Sequence, residues 1–214
     1  NNGVKNIIRH ANFAHVVEQS GAERPFDQVV IAAHADQALQ LIEQPTYLEK
    51  QLLSKFSYQR NRAILHRDPK FMPQRRRLWS SWNYLKGAAG FDQNLCVTYW
   101  MNNLQQLDTK TDLFLTLNPT GEIAPGLIDR EIIYDHPVFD AGAIEAQHDL
   151  WELQGENRTW FCGAYFGHGF HEDGCESGLA VAEALGGVAR PWSTKGQVSR
   201  LPSRALPPAV AAAQ

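Results

Sequence analysis

Between Tyr165 and Leu185 the chain reads YFGHGFHEDGCESGLAVAEAL, and no other stretch concentrates so many residues able to do chemistry. Two imidazoles, two carboxylates and a thiol fall among closely spaced glycines at His168, His171, Glu172, Asp173 and Cys175. Gly167, Gly169 and Gly174 would let the backbone approach a ligand closely, and Gly178 would let a helix pack closely. Trp160 to Gly163 just upstream reads as a buried strand, and the residues after Asp173 read as a helix ended by Gly186-Gly187. A helix N-terminus presents unpaired N–H groups and partial positive charge, which suits an electron-rich carbonyl or a phosphate. The same strand, glycine turn and helix also occur with no ligand, so spacing alone leaves both readings open.

A metal site built from His168, His171, Glu172 and Asp173, flanked by Cys162 and Cys175, is the weaker alternative. The spacing matches neither a zinc finger nor an H-E-x-x-H helix. Cys175 near the helix start could serve redox chemistry, although inert packing is the plainer expectation. His136, before Pro137, and His66, within an expected strand, read as packed or surface histidines rather than bases. Trp79, Trp82, Tyr84, Tyr99 and Trp100 crowd two adjacent expected strands. Sheet core is the plainer explanation, and an apolar substrate-lining face is the sharper one.

The elements that must position these residues follow from pattern. Val4 to Val17 suits one or two short strands broken near Asn12, Glu18 to Pro25 a turn, and Phe26 to Ala33 a buried strand of the parallel-sheet kind. Helices are expected from Asp36 and over Tyr47 to Leu53. Short aromatic-rich segments at Tyr58–Leu65, Leu78–Leu85, Leu95–Met101, Asp112–Leu117 and Arg130–Tyr134 predict an antiparallel sheet. Phe139 to Leu153 is expected to be a helix capped by Asp140, and Arg158 to Gly163 a strand. Residues 188–214 are expected to be a loose tail.

The 214 residues are 43% hydrophobic and 20% charged, which fits an ordinary globular chain, and the formal net charge of -3 gives no reason to expect nucleic acid. Arg75, Arg76 and Arg77, with Arg67 and Lys70, form a local basic cluster. It reads mainly as a solvated loop, with an anionic ligand or a peripheral membrane contact as the alternative. Three cysteines without a secretory leader predict a cytoplasmic setting. The opening Asn-Asn-Gly, running straight into a strand pattern without Met, predicts a chain that begins inside a larger protein.

The run GAYFGHGFHEDGCESGLAVAEAL resembles the C-terminal flavin-binding segment of the flavin-containing amine oxidase family, which includes phytoene-desaturase-like enzymes. The strand Val29 to Ala35, followed by a helix, resembles the strand that leaves that family's FAD domain. Four further runs are similar to a bacterial subgroup of NAD/FAD-binding proteins: Tyr58–Asn61, Trp79–Tyr84, Val97–Asn102 and Tyr134–Phe139. The resemblance extends over roughly residues 20–187. It implies an α/β plus α+β architecture, the C-terminal part of a two-domain fold, with an antiparallel substrate-domain sheet and strand-turn-helix elements of the FAD domain. Residues 1–34 and 155–187 would belong to the FAD domain and residues 35–154 to the substrate domain.

Carried over, the resemblance implies FAD as cofactor, with Gly163 beside the ribityl or pyrophosphate. Phe170, His171, Glu172, Asp173 and Gly174 would line the flavin. The N–H groups of Gly174 and Cys175 would face the pyrimidine edge, where negative charge develops on reduction. The family's G-x-G-x-x-G fingerprint is absent, so the pyrophosphate-binding half is expected to precede Asn1 or to have been lost. Many relatives carry a carboxylate where Ala164 stands, which leaves Glu172, Asp173 or the backbone to hold the ribityl chain. The implied activity is hydride removal from an apolar, lipid-like or amine substrate. The competing class is a non-catalytic domain holding an apolar ligand or partner.

Overall fold

The computed structural model describes residues 2–85 and 96–188. In chain order the strands are β1 (Val4–Arg9), β2 (Ala14–Glu18), β3 (Glu23–Phe26), β4 (Val29–Ile31), β5 (Ser57–His66), β6 (Trp82–Leu85), β7 (Cys96–Trp100), β8 (Phe114–Leu117), β9 (Ile128–Val138) and β10 (Thr159–Phe161). The helices are α1 (Ala35–Leu41), α2 (Tyr47–Leu53), the single turn α3 (Met101–Leu104), α4 (Ala141–Gln147) and α5 (His171–Ala184). The described residues form two compact units, one from residues 2–57 with 137–188, the other from Tyr58–His136. The division therefore falls later and returns earlier than the expected boundaries at 34 and 155, because α1, α2 and α4 pack with the first unit. The tail expected over 188–214 lies, from residue 189 onward, outside the described residues.

In the first unit β1, β2 and β3 form an antiparallel sheet, while β10 pairs in parallel with β4, Trp160 opposite Val30. The expected turn over Glu18 to Pro25 is thus partly strand. Pro25 sits opposite His15 on the edge strand of that sheet, where a missing N–H breaks no ladder bond. The single strand expected over Phe26 to Ala33 is split at Asp27-Gln28, and Val30 is exposed rather than buried.

Helix α2 matches its expected span because its first turn is doubly capped. The Glu49 N–H donates to Thr46 Oγ1 at 3.2 Å and the Thr46 N–H to Glu49 Oε2 at 2.7 Å. Both Glu49 oxygens also accept from the Arg9 guanidinium, so a carboxylate 1% exposed carries a full set of partners and ties β1 to α2.

Asp140 caps α4 through the Ala143 N–H at 2.8 Å, but the helix stops at Gln147. A tighter 3-10 turn follows over Leu150–Leu153 and buries Leu150, Trp151 and Leu153 together. Next to it, the Gln154 side chain clamps the outer edge of β10. Its Nε2 donates to the Phe161 carbonyl at 2.7 Å, and its Oε1 accepts the Phe161 N–H at 2.9 Å.

The second unit is a five-stranded sheet in the order β6-β7-β8-β5-β9, antiparallel where β6, β7, β8 and β5 adjoin. Its register sorts side chains onto two faces. Asn83, Thr98, Thr116 and Ile64 share one face with Trp100, Phe114 and His66, and there Ile64 and Cys96 pack with Phe71 and Ile123. Within this face His66 is fully buried. The Asp68 N–H donates to its Nδ1 at 3.1 Å, so the ring proton sits on Nε2, which donates to Thr116 Oγ1 at 2.7 Å. The Thr116 and Thr98 hydroxyls are hydrogen bonded at 2.8 Å.

Burial pushes the His66 imidazole below its ordinary range, partly opposed by the carboxylates of Asp68 and Asp129. The unfolded chain therefore binds the proton more tightly than the fold does. The contribution of neutral His66 is complete above about pH 6.5 and is lost as pH falls below it. Amide exchange of β8 should accelerate between pH 7.5 and 5.5, after correction for intrinsic rates, and His66→Gln should remove that component. An equal acceleration in the variant would refute a neutral buried His66.

Candidate functional site

The glycine-rich segment is organised by helix α5 lying close against the end of β10. Ser177, fully buried, accepts the Gly163 N–H on Oγ at 3.0 Å, and its hydroxyl faces the carbonyls of Gly174 (3.0 Å) and Gly163 (3.2 Å). One turn earlier, a Cβ added at Gly174 would stand 3.6 Å from the Ala164 nitrogen, and one at Gly178 would stand 4.0 Å from Cys162 Sγ. The small face noticed in the sequence is thus the face on which the helix meets its own strand. Gly163 has φ +156°, and a Cβ there would fall 2.7 Å from the ring of buried Tyr165.

The turn between strand and helix is held from inside by Asp173. Its Oδ2 accepts the N–H groups of His168 (3.0 Å) and Phe170 (2.8 Å), and a Cβ at Gly167 would fall 2.7 Å from its carboxyl. The Gln147 amide donates to the Tyr165 and Gly167 carbonyls and closes the turn from the α4 side. Gly169, at φ +89°, lies beside Phe139.

These contacts sort the expected ligand-lining residues. Asp173 is fully buried and engaged by its own turn, so of the two acids only Glu172 is exposed. Phe170, His171 and Cys175 are also exposed. The Gly174 N–H does not point outward, since it donates to the Phe170 carbonyl at 3.3 Å, as does that of Asp173 at 3.1 Å. Helix α5 begins at His171, three residues earlier than Gly174, which places Cys175 inside the helix as well. The N–H groups that precede the i→i−4 ladder are those of His171 and Glu172, whereas Gly174 and Cys175 lie further along the helix. Ser177, which anchors the whole arrangement, was not among the expected residues. A serine three positions after Gly174 and one before Gly178 was the signal available for it.

The five aromatic candidates do not share a face. Trp82 and Tyr99 stand opposite one another, in a row with Leu115 and Leu65, and Tyr84 stands in the next row with Val97, Leu117 and Ala63. Trp82 is 61% and Tyr84 68% exposed. Trp100 and Trp79 belong to the opposite side, 5.3 Å apart edge to face, with Trp79 5.5 Å from Phe114. The Arg76 guanidinium lies over both rings, at 4.5 and 5.6 Å, and pairs with Asp112 through two bonds of 2.7 and 3.0 Å. That pairing holds the Asp112 carboxyl below the usual carboxylate range.

His136 is exposed and oriented. Asn118 accepts the Arg62 N–H and donates to Asn61 Oδ1 at 2.7 Å, so the Asn61 amide donates to His136 Nδ1 at 2.9 Å. Among the described residues no three His, Cys, Asp or Glu side chains stand together as a metal-binding group. Burial raises the Cys96 and Cys162 thiols above their ordinary range, and Cys175 is the exposed cysteine. No helix among the described residues is long and apolar enough to cross a membrane.

No family model and no curated protein matches the sequence. Solved structures do match. A CLA-producing fatty acid isomerase from P. acnes has a TM-score of 0.57 at 12% identity, over 85% of this chain and 47% of its own. Putrescine oxidase bound to putrescine has 0.55 at 13%, over 87% and 49%. Reduced UDP-galactopyranose mutase has 0.52 at 10%, over 86% and 46%. The mixed α/β fold with antiparallel sheets matches part of the FAD-dependent oxidoreductase fold. The likeness is one of fold, and the chain spans about half the length of these neighbours.

The residues present fit one end of a bound FAD. The first-turn N–H groups of His171 and Glu172 suit a ring carbonyl, while no glycine-rich phosphate loop stands among the described residues. The glycines on either side of this turn should separate by thermal melting. Gly174→Ala should leave stability unchanged or raise it by up to about 1 kcal/mol, as for an unobstructed helical glycine. Gly163→Ala should cost about 1–3 kcal/mol through overpacking against Tyr165. A reversed order would refute the close-approach geometry.

Proposed function

We propose that this chain is the flavin-ring-binding, C-terminal part of an FAD-dependent oxidoreductase that removes a hydride from an apolar, lipid-like or amine substrate. The observation that carries the reading is the strand β10, the Gly163–Phe170 turn and the start of α5, set in a fold that matches part of FAD-dependent oxidoreductases. Bound FAD would supply the electron sink for the hydride. The chain's own part is to present the His171 and Glu172 N–H groups, with the positive end of the α5 dipole, where anionic charge accumulates. Asp173 holds the turn in shape from within. Phe170, 56% exposed at the helix start, offers an apolar surface beside those donors.

Of these aromatic residues Tyr99, half-buried on the same face as Trp82 and Tyr84, is the one we assign to an apolar substrate, while Trp79 and Trp100 serve the opposite face of the sheet. The pyrophosphate half of the cofactor would require residues beyond those described. Three unpaired cysteines suit a reducing compartment, and we place the protein in the cytoplasm. The second reading, a non-catalytic domain for an apolar ligand or partner, is favoured by the exposure of Trp82 and Tyr84 alone.

Visible absorbance of the purified full-length protein tests the first reading, which expects flavin bands that a non-catalytic domain would lack. Within it, Glu172→Pro removes one first-turn N–H at a position where helices tolerate proline. Flavin affinity should fall up to about ten-fold, as for loss of one hydrogen bond, while Glu172→Ala should bind like the parent protein. Equal affinity in the proline variant would move the donors elsewhere.

A further inference from the structure

The exposed residues beside the edge strand β6 combine two properties that no structural role in this chain uses. From residue 69 to residue 91 the sequence carries Lys70, Arg75, Arg76, Arg77 and Lys86 and not one Asp or Glu, in a chain of net charge -3. Arg76 is consumed by Asp112 and the Trp79 and Trp100 rings, and Lys70 donates to the Glu122 carbonyl. Arg75 and Arg77 are exposed and have no side-chain partner among the described residues. Directly beside them Leu78 is 58% exposed, and Trp82 and Tyr84 follow on β6 with most of their surface in solvent. Ordinary solvated loops do not expose a leucine, a tryptophan and a tyrosine within seven residues next to uncompensated arginines.

We propose that Arg75, Arg77 and Leu78, with Trp82 and Tyr84, form a docking surface for an anionic lipid bilayer. The guanidinium groups meet lipid phosphates and carboxylates, Leu78 enters the acyl boundary, and the two aromatic rings sit at headgroup depth. Charge complementarity selects the occupant's sign, and the exposed aliphatic and aromatic side chains favour a lipid surface over a polar polyanion. The arrangement places the chain on the membrane rather than through it. It does not depend on a bound flavin.

Co-sedimentation of the protein with vesicles of phosphatidylcholine alone, or with about three parts in ten phosphatidylserine, tests the assignment. The protein should bind the anionic vesicles, lose that binding in 0.5 M salt (roughly a 4 Å screening length), and leave the neutral vesicles unbound. Arg75→Gln with Arg77→Gln should weaken partitioning roughly thirty-fold, about a factor of five for each basic contact. Leu78→Gln should weaken it roughly ten-fold. Thermal midpoints unchanged from the parent would establish that the variants fold, and flavin content should be the same in all of them. Equal binding to both vesicle types, binding to neither, full binding by the double variant, or preference for a short DNA duplex over anionic vesicles would each overturn the proposal.

Discussion

A single buried hydroxyl sets the distance between the last strand and the last helix of the described chain. Ser177 Oγ accepts the Gly163 N–H and faces two carbonyls, satisfying a strand end that would otherwise be buried with an unpaired donor. Gly174 and Gly178 lie on the same side of the helix, where an added Cβ would come into ordinary contact with Ala164 and Cys162. The turn between strand and helix is short of room. Gly163, Gly167 and Gly169 each lie where a side chain would strike Tyr165, Asp173 or Phe139. Glycines that look like a ligand cradle are first of all the consequence of this close approach.

The sheet of the second unit applies a different constraint. One face is closed by a polar chain, His66 to Thr116 to Thr98, that works only while the imidazole is neutral and its proton lies on Nε2. The flanking Trp79–Arg76–Trp100 stack is likewise complete within the unit, with Asp112 answering both the guanidinium and the Trp100 N–H. The other face carries apolar rows that end at β6 in exposed aromatic rings. Function in this unit is accordingly sought on the second face, where side chains still have unmet surface.

Much of this was legible in the sequence where local chemistry decides. Thr46 and Glu49 announce the start of α2, Asp140 announces α4, and the alternating aromatic segments announce the sheet. Tertiary partners decided the rest. Asp173 looked like an outward acid and is drawn inward by two N–H groups of its own turn. Gly174 looked like the mouth of the helix and is its fourth residue, because the ladder starts at His171. Five aromatic residues close in sequence separate onto two faces because a sheet alternates at every residue. The antiparallel strand at Glu23–Phe26 was hidden by its Pro and its charges, which an edge strand tolerates.

The Gln154 amide has a consequence for how the first unit meets other chains. By supplying both a donor and an acceptor to Phe161, it impersonates the strand that would otherwise lie next in line. A parallel pair with one side left open is an adhesive surface, able to recruit the same segment from another molecule. Among the described residues the other side of this pair is β4, three residues long, too brief to seed a growing stack. A further strand could join beside β10 at Phe161 only by displacing the Gln154 amide.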